Sequence, residues 1–194
     1  MKNTLQIIII ILSIVNNLYS DAESKKWYFP DHYKIHFAGN TGFLSCGIGY
    51  SFFKGKYETD LFYGYVPKSI SGNHIHTIFH KSTYKPIKIT LNKNTKLTPI
   101  LLGFNFCLVI GQNSFIILPE QYPESYYPPT AIYFAPFIGV VILKTDINQK
   151  GIKSLDFYFE LGTVDRYLRN YFMSDYLELK DILNISLGLK IEII

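Results

Sequence analysis

The chain has 194 residues, 48% of them hydrophobic and 18% charged, a balance that sustains one folded domain and excludes an intrinsically disordered chain. Tyr and Phe number 16 and 15 against one Trp and two Met, an aromatic enrichment that favours strands over helices. The formal net charge of +4 is spread along the chain with no basic run, which gives no support to a nucleic-acid partner.

The first segment, MKNTLQIIIIILSIVNNLYS, reads as a secretory signal. Lys2 supplies the positive region, Leu5 to Val15 supply the apolar core, and cleavage after Ser20 starts the mature chain near Asp21. The paired Asn16 and Asn17 interrupt the run before the roughly 20 residues that a spanning helix needs. Residues 1–20 are therefore expected to be a leader and residues 21–194 one domain.

The mature chain alternates with a period of two, the signature of strands with one apolar face. In HYKIHFAG, Tyr33, Ile35 and Phe37 oppose Lys34 and His36. In GFLSCGIGYSFF, Cys46 joins Leu44, Ile48, Tyr50 and Phe52, and in KYETDLFYGYV the set Tyr57, Thr59, Leu61, Tyr63 and Tyr65 opposes Glu58, Asp60, Phe62, Gly64 and Val66. HIHTIFHKSTY is divided into Ile75, Thr77 and Phe79 against His74, His76, Ile78, His80 and Ser82. In PILLGFNFCLVI, Cys107 opposes Ile100, Leu102, Phe104, Phe106 and Leu108, so the two cysteines point to opposite faces and are expected to stay free thiols. AIYFAPFIGVVIL sets Ile132, Phe134, Pro136, Ile138, Val140 and Ile142 against Ala131, Tyr133, Ala135, Phe137, Gly139 and Val141. SLDFYFELG sets Leu155, Phe157, Phe159 and Leu161 against Ser154, Asp156, Tyr158, Glu160 and Gly162. The last segment, LNISLGLKIEII, sets Leu183, Ile185, Leu187, Leu189, Ile191 and Ile193 against Asn184, Ser186, Gly188, Lys190 and Glu192.

The second face decides the architecture. Gly47, Gly49, Gly64, Gly103, Gly139, Gly162 and Gly188 suit the crowded interior of a narrow barrel, where small residues leave room for large neighbours. The apolar face then points outward to lipid, and the runs have the roughly 9 to 11 residues of a transmembrane strand. Seven runs begin near Phe43, Lys56, His74, Thr98, Thr130, Lys153 and Leu183, and bacterial barrels have even strand numbers. Short turns at Lys54 to Lys56 and Thr145 to Lys150, with long connections at Gly111 to Pro129 and Gly162 to Asp181, require an earlier strand, which HYKIHFAG supplies. The expected fold is all-β, a single antiparallel eight-stranded transmembrane β-barrel of up-and-down topology with both termini at the short-turn end. Arg166 to Asp181 reads as a charged surface loop with room for a helical turn, and Pro67 and Gly72 frame a polar turn.

The signal segment, the Gly-aromatic strands CGIGYSFF and LFYGYVP, and the closing strand ISLGLKIEII together resemble small outer-membrane β-barrel proteins of the uncharacterised Bacteroidota type. The likeness covers the whole mature chain, although the chain ends in Ile194 where an aromatic residue is usual. It implies the outer membrane of a Gram-negative bacterium, contact with its lipid, and recognition of the last strand by the barrel-assembly machinery.

His74, His76 and His80 share the face assigned to the interior, and imidazoles in that spacing offer metal ligands. Glu58, Asp60, Asp156, Glu160 and Lys190 are expected in a lumen polar network, where buried charges must pair. That pairing accounts for them without a metal. His80 and Ser82 are two residues apart, a spacing open to a hydrolase dyad if a carboxylate orients the histidine. Eight-stranded lipid A deacylases use such a His, Ser and Glu, but their motif lies late in the chain and HKS lies early here, without matching surroundings. Tyr122, Tyr126 and Tyr127, set among prolines, suit an interfacial aromatic girdle or a binding projection. Phosphate-loop, Gly-x-Ser-x-Gly and paired glycosidase signatures are absent from the sequence, and no cofactor is expected. The function expected is a structural or surface-interaction role without catalysis, any surface ligand meeting loops 111–129 and 163–181. The alternatives are a lipid-modifying hydrolase and a soluble lipocalin-like carrier with its apolar stripes turned inward.

Overall fold

Alternating large apolar and small or charged residues commit eight segments to strands with two unlike faces, and a ninth, short strand joins them among the described residues. The computed structural model describes residues 28–111, 114–116, 130–149, 151–173 and 176–193. The leader at 1–20, the tyrosines Tyr122, Tyr126 and Tyr127, and Ile194 lie outside the described residues. The elements are β1 (His32–Ala38), β2 (Leu44–Phe52), β3 (Tyr57–Val66), α1 (Lys68–Ser71), β4 (Ile75–Tyr84), β5 (Ile89–Asn92), β6 (Thr95–Ile110), β7 (Ile132–Gln149), β8 (Ile152–Gly162), α2 (Asp165–Met173), α3 (Leu179–Ile182) and β9 (Asn184–Ile193).

All strand pairs are antiparallel. β9 returns to β1, with His32 opposite Glu192, and β4 pairs with β6, with His80 opposite Phe106. These two pairings close an eight-stranded up-and-down barrel, and β5 is an extra strand beside the start of β6. The start of β1, the end of β9, the β2–β3 turn and the β7–β8 connection lie at one end; α1, α2 and α3 lie at the other.

The faces follow the alternation in β1, β2, β3, β6, β7, β8 and β9. Leu44, Cys46 and Ile48 are exposed while Ser45 and Gly49 are buried, and Cys107 is buried while Phe104 and Phe106 are exposed. Cys46 and Cys107 are free thiols.

Strand β4 has the opposite orientation to the one expected. Thr77, Phe79, Lys81 and Thr83 are buried, and His76, Ile78 and His80 turn outward. The pairing with β3 dictates this: Phe62 and Phe79 stand opposite each other and stack at 4.7 Å, and Asp60 stands opposite Lys81. A large aromatic and a lysine are thus lumen residues, and the histidines occupy the wall. Three further differences are local. β7 continues through Gln149 and β8 begins at Ile152; β5 is new; and the segment expected as a loop forms α2 and α3.

The interior is filled by pairing large side chains with glycines. A Cβ on Gly188 would lie 1.9 Å from Tyr158 Cζ, one on Gly47 2.6 Å from the Phe62 ring, and one on Gly103 2.4 Å from Phe137 Cζ. Each glycine is the space its neighbour occupies. Overpacking of this kind costs about 1–3 kcal/mol, so Gly188→Ala is expected to lower the thermal midpoint. The cost should be smaller in a Tyr158→Leu background than in the parent chain, and equal costs in thermal melts of the four proteins would contradict direct contact.

Candidate functional site

Inward parity brings the charges of five strands into one enclosed volume. Glu58 on β3 is the centre: Lys34 Nζ donates to its Oε2 at 2.9 Å, while Lys85 Nζ and Lys190 Nζ donate to its Oε1 at 2.6 and 2.5 Å. Lys34 also donates to Asp60 Oδ2 at 2.7 Å, and His32 Nε2 lies 2.6 Å from Asp60 Oδ1. Lys190 continues to Glu192 at 3.2 Å and reaches Asp156 at 3.8 Å, and Ser154 Oγ donates to Glu192 at 2.8 Å and to Asp156 at 3.2 Å. Across the lumen, Lys81 donates to both oxygens of Glu160 at 2.7 and 2.6 Å.

Glu58, Asp60, Asp156, Glu160 and Lys190 are all buried, joined by the lysines Lys34, Lys81 and Lys85. Lys81 and Lys85 were hidden from the sequence reading by the inverted face of β4. The signal that locates Lys81 is its place opposite Asp60 on the ladder, which fixes the inward face of β4, while its hydrogen bonds go across the lumen to Glu160. Lys85 follows β4 directly, and burial, opposed by the attraction of Glu58, lowers its ammonium to about 8.

The aromatic half of the lumen closes it. The stacked Phe62 and Phe79 pack with Cys107, and Lys81 Nζ lies over Phe137 at 4.5 Å and Tyr158 at 5.1 Å. A cavity of about 10 Å³ remains beside Lys34, Glu58, Lys85, Asp156 and Lys190. That is about the smallest volume that holds one water. The interior is charged and filled, which is the reverse of a carrier that encloses an apolar ligand.

His74, His76 and His80 stand outside this network, and each takes a separate hydroxyl partner. His74 Nδ1 lies 2.6 Å from the Tyr65 hydroxyl, His76 Nδ1 2.6 Å from the Tyr63 hydroxyl, and His80 Nε2 2.7 Å from Thr59 Oγ1. They do not converge on a metal position. Among the described residues, the group whose ligand atoms do converge is His32, Glu58 and Asp60, within 4.8 Å of one another. The ammonium of Lys34, bonded to both carboxylates, already serves there as the cation.

His80 faces outward, as a lipid-modifying enzyme would require, but the dyad is not assembled. Ser82 Oγ donates to the Tyr57 hydroxyl at 2.8 Å while His80 is held by Thr59. No carboxylate pairs with His80 among the described residues.

The arrangement is built for cohesion. Removing one partner of a buried pair costs about 3–5 kcal/mol, so Glu58→Gln, which keeps the shape and leaves three lysines short of an anion, is expected to lose that much in thermal or urea unfolding. The exposed Lys180–Glu178 pair at 2.7 Å is the contrast: Lys180→Ala should cost under about 1 kcal/mol. Similar losses from both would contradict the network's role.

No protein-family model, curated protein or solved structure matches this chain. The reading of its function therefore rests on the geometry of the barrel itself.

Proposed function

We propose that the chain is an integral outer-membrane β-barrel, exported by its N-terminal segment, with a structural or surface-interaction role and neither a pore nor catalysis. One observation carries the reading: the polarity of the barrel is reversed. Leu61, Ile138, Leu187 and Phe106 are 57%, 53%, 51% and 53% exposed on the wall, while Lys81, Glu58 and Asp156 are 1% exposed inside. In water this arrangement would leave a continuous apolar surface unburied, far beyond the few hundred Å² or so that a soluble monomer tolerates. In a bilayer it is the stable arrangement, because a closed sheet pairs backbone groups strand to strand and leaves no open barrel edge.

Dimensions agree with this. Strands β2, β3, β4, β8 and β9 have 9, 10, 10, 11 and 10 residues, against the roughly 9 to 11 that a tilted transmembrane strand needs. Tyr57 and Tyr84 stand at one edge of the wall and Tyr63 and Tyr65 near the other, the placement of interfacial aromatic belts. In such a barrel the closing strand β9 is the segment that the assembly machinery would read. A filled lumen leaves the loop end for partners, where Tyr167, Phe172, Met173 and Tyr176 are 49%, 80%, 74% and 94% exposed.

The test is fractionation of the expressing cell, followed by electrophoresis of heated and unheated samples. Recovery in the outer membrane with heat-shifted mobility is expected. A spin label on Cys46, with Cys107→Ala, should then collide with oxygen more than with a polar nickel chelate. Recovery in the soluble fraction with no heat shift, or a label open to the chelate, would sink the proposal.

A further inference from the structure

Among the described residues the two ends of the barrel carry different charge. At the end with the termini, Lys54 and Lys56 stand in the β2–β3 turn, Lys88 and Lys93 flank β5, Lys96 lies at the start of β6 and Lys153 at the start of β8. Five are exposed and Lys96 is half-exposed. Among the described carboxylates of this end that are not buried stands Asp31, whose Oδ2 accepts the Ser51 N–H at 2.8 Å. Lys153 leans toward Glu192 at 3.8 Å and Lys88 donates to the Lys54 carbonyl at 3.1 Å, and among the described exposed groups of this end the lysines outnumber the carboxylates. The described residues of the opposite end are close to balance, with Lys68, Arg166, Arg169 and Lys180 against Asp165, Glu178 and Asp181.

Apolar side chains sit between these lysines. Phe53, Leu91 and Ile87 are 79%, 55% and 48% exposed. Phe53 and Lys54 also adopt left-handed backbone, with φ of 52° and 59°, a conformation that a bulky residue rarely takes. Strained residues of this kind persist where the surroundings hold them and often mark function. Here the β2–β3 turn, tied to Lys88, holds an exposed phenyl ring beside two ammonium groups.

Interleaved apolar and cationic side chains match the boundary between acyl chains and phosphates, where the stems and rings enter the apolar layer and the ammonium groups stay at headgroup level. We infer that this rim is a lysine collar that gathers anionic phospholipid headgroups around the terminal end of the barrel. Lys54, Lys56, Lys88 and Lys93 hold phosphates, and Phe53, Ile87 and Leu91 rest in the acyl boundary. The inference rests on the membrane reading above and adds the lipid class and the end of the barrel that selects it.

The test uses the full barrel in phosphatidylcholine vesicles with a trace of spin-labelled phosphatidylglycerol or spin-labelled phosphatidylcholine, the boundary fraction being read by electron paramagnetic resonance. The anionic label should be preferred by about fivefold, the effect of about one lysine near an anionic surface. The preference should fall toward equality at about 1 M salt, where the screening length is about 3 Å. It should fall likewise in a Lys54→Gln, Lys56→Gln, Lys88→Gln, Lys93→Gln variant, and persist in a Lys68→Gln, Arg169→Gln, Lys180→Gln variant of the loop end. Equal partition of the two labels around a heat-modifiable barrel would overturn the collar and leave the membrane reading standing. Loss of preference in the loop-end variant alone would also overturn it, and failure of the chain to immobilise either lipid would overturn both. The salt series on the unaltered protein gives the answer even if the substituted barrels fail to fold.

Discussion

The carboxylate of Glu58 accepts ammonium groups from β1, from the residue after β4, and from β9, and the rest of the barrel depends on that convergence. A buried charge without a partner costs several kcal/mol, so each lysine in the lumen requires its carboxylate at bonding distance. Lys81 and Glu160 impose the same demand between β4 and β8. A slip of one residue in any strand would exchange its lumen and wall sets, sending lysines outward and leucines inward together. The ion pairs and the apolar wall therefore select the same register. The described lumen holds four lysines and five carboxylates, and His32 stands against Asp60 at 2.6 Å, so the cluster is near electrical balance.

Packing completes what charge begins. Eight strands enclose only enough room for their own side chains, and along β3 the lumen passes from Glu58 and Asp60 to Phe62 and then Gly64. Charges occupy the terminal half, and stacked rings occupy the half nearer the loops. Lys81 joins the two, bonded to Glu160 while lying over Phe137 and Tyr158. The glycines opposite these rings are as necessary as the rings, because a methyl group at Gly188 or Gly47 would overlap Tyr158 or Phe62.

Most of this fold was legible in the sequence because period two and face chemistry agree in seven of the eight barrel strands. The glycine-rich second face indicated a filled interior, and turn parity indicated the eighth strand, β1. The reading failed at β4, where apolarity was taken as the mark of the wall. Phe79 belongs to the lumen because it stacks on Phe62, and the wall set His76, Ile78, His80 and Ser82 is no more apolar than the lumen set Thr77, Phe79, Lys81 and Thr83. Apolarity distinguishes faces only where one of them has no interior aromatic to fill. The pairing of Asp60 with a lysine would have resolved the register, since it is a cross-strand constraint that no single segment contains. β5 escaped notice because four residues are too few for a period, and α2 because its exposed aromatics do not form a buried stripe.

The polar wall of β3 and β4 is compatible with an apolar surrounding because its polar groups answer one another. Tyr63 meets His76, Thr59 meets His80, and Tyr57 meets Ser82, each across the same strand pair. A polar group costs little in an apolar medium once it is hydrogen-bonded, and much when it is not. On this strand pair the polar side chains of the wall are thus answered from the neighbouring strand, as the charged side chains of the lumen are. On the proposed membrane reading, a filled inside and a lipid-covered wall leave the two rims as the surfaces open to other molecules. Among the described residues those rims differ in chemistry, one carrying exposed lysines around Phe53, Ile87 and Leu91 and the other exposed aromatics at Tyr167, Phe172 and Tyr176.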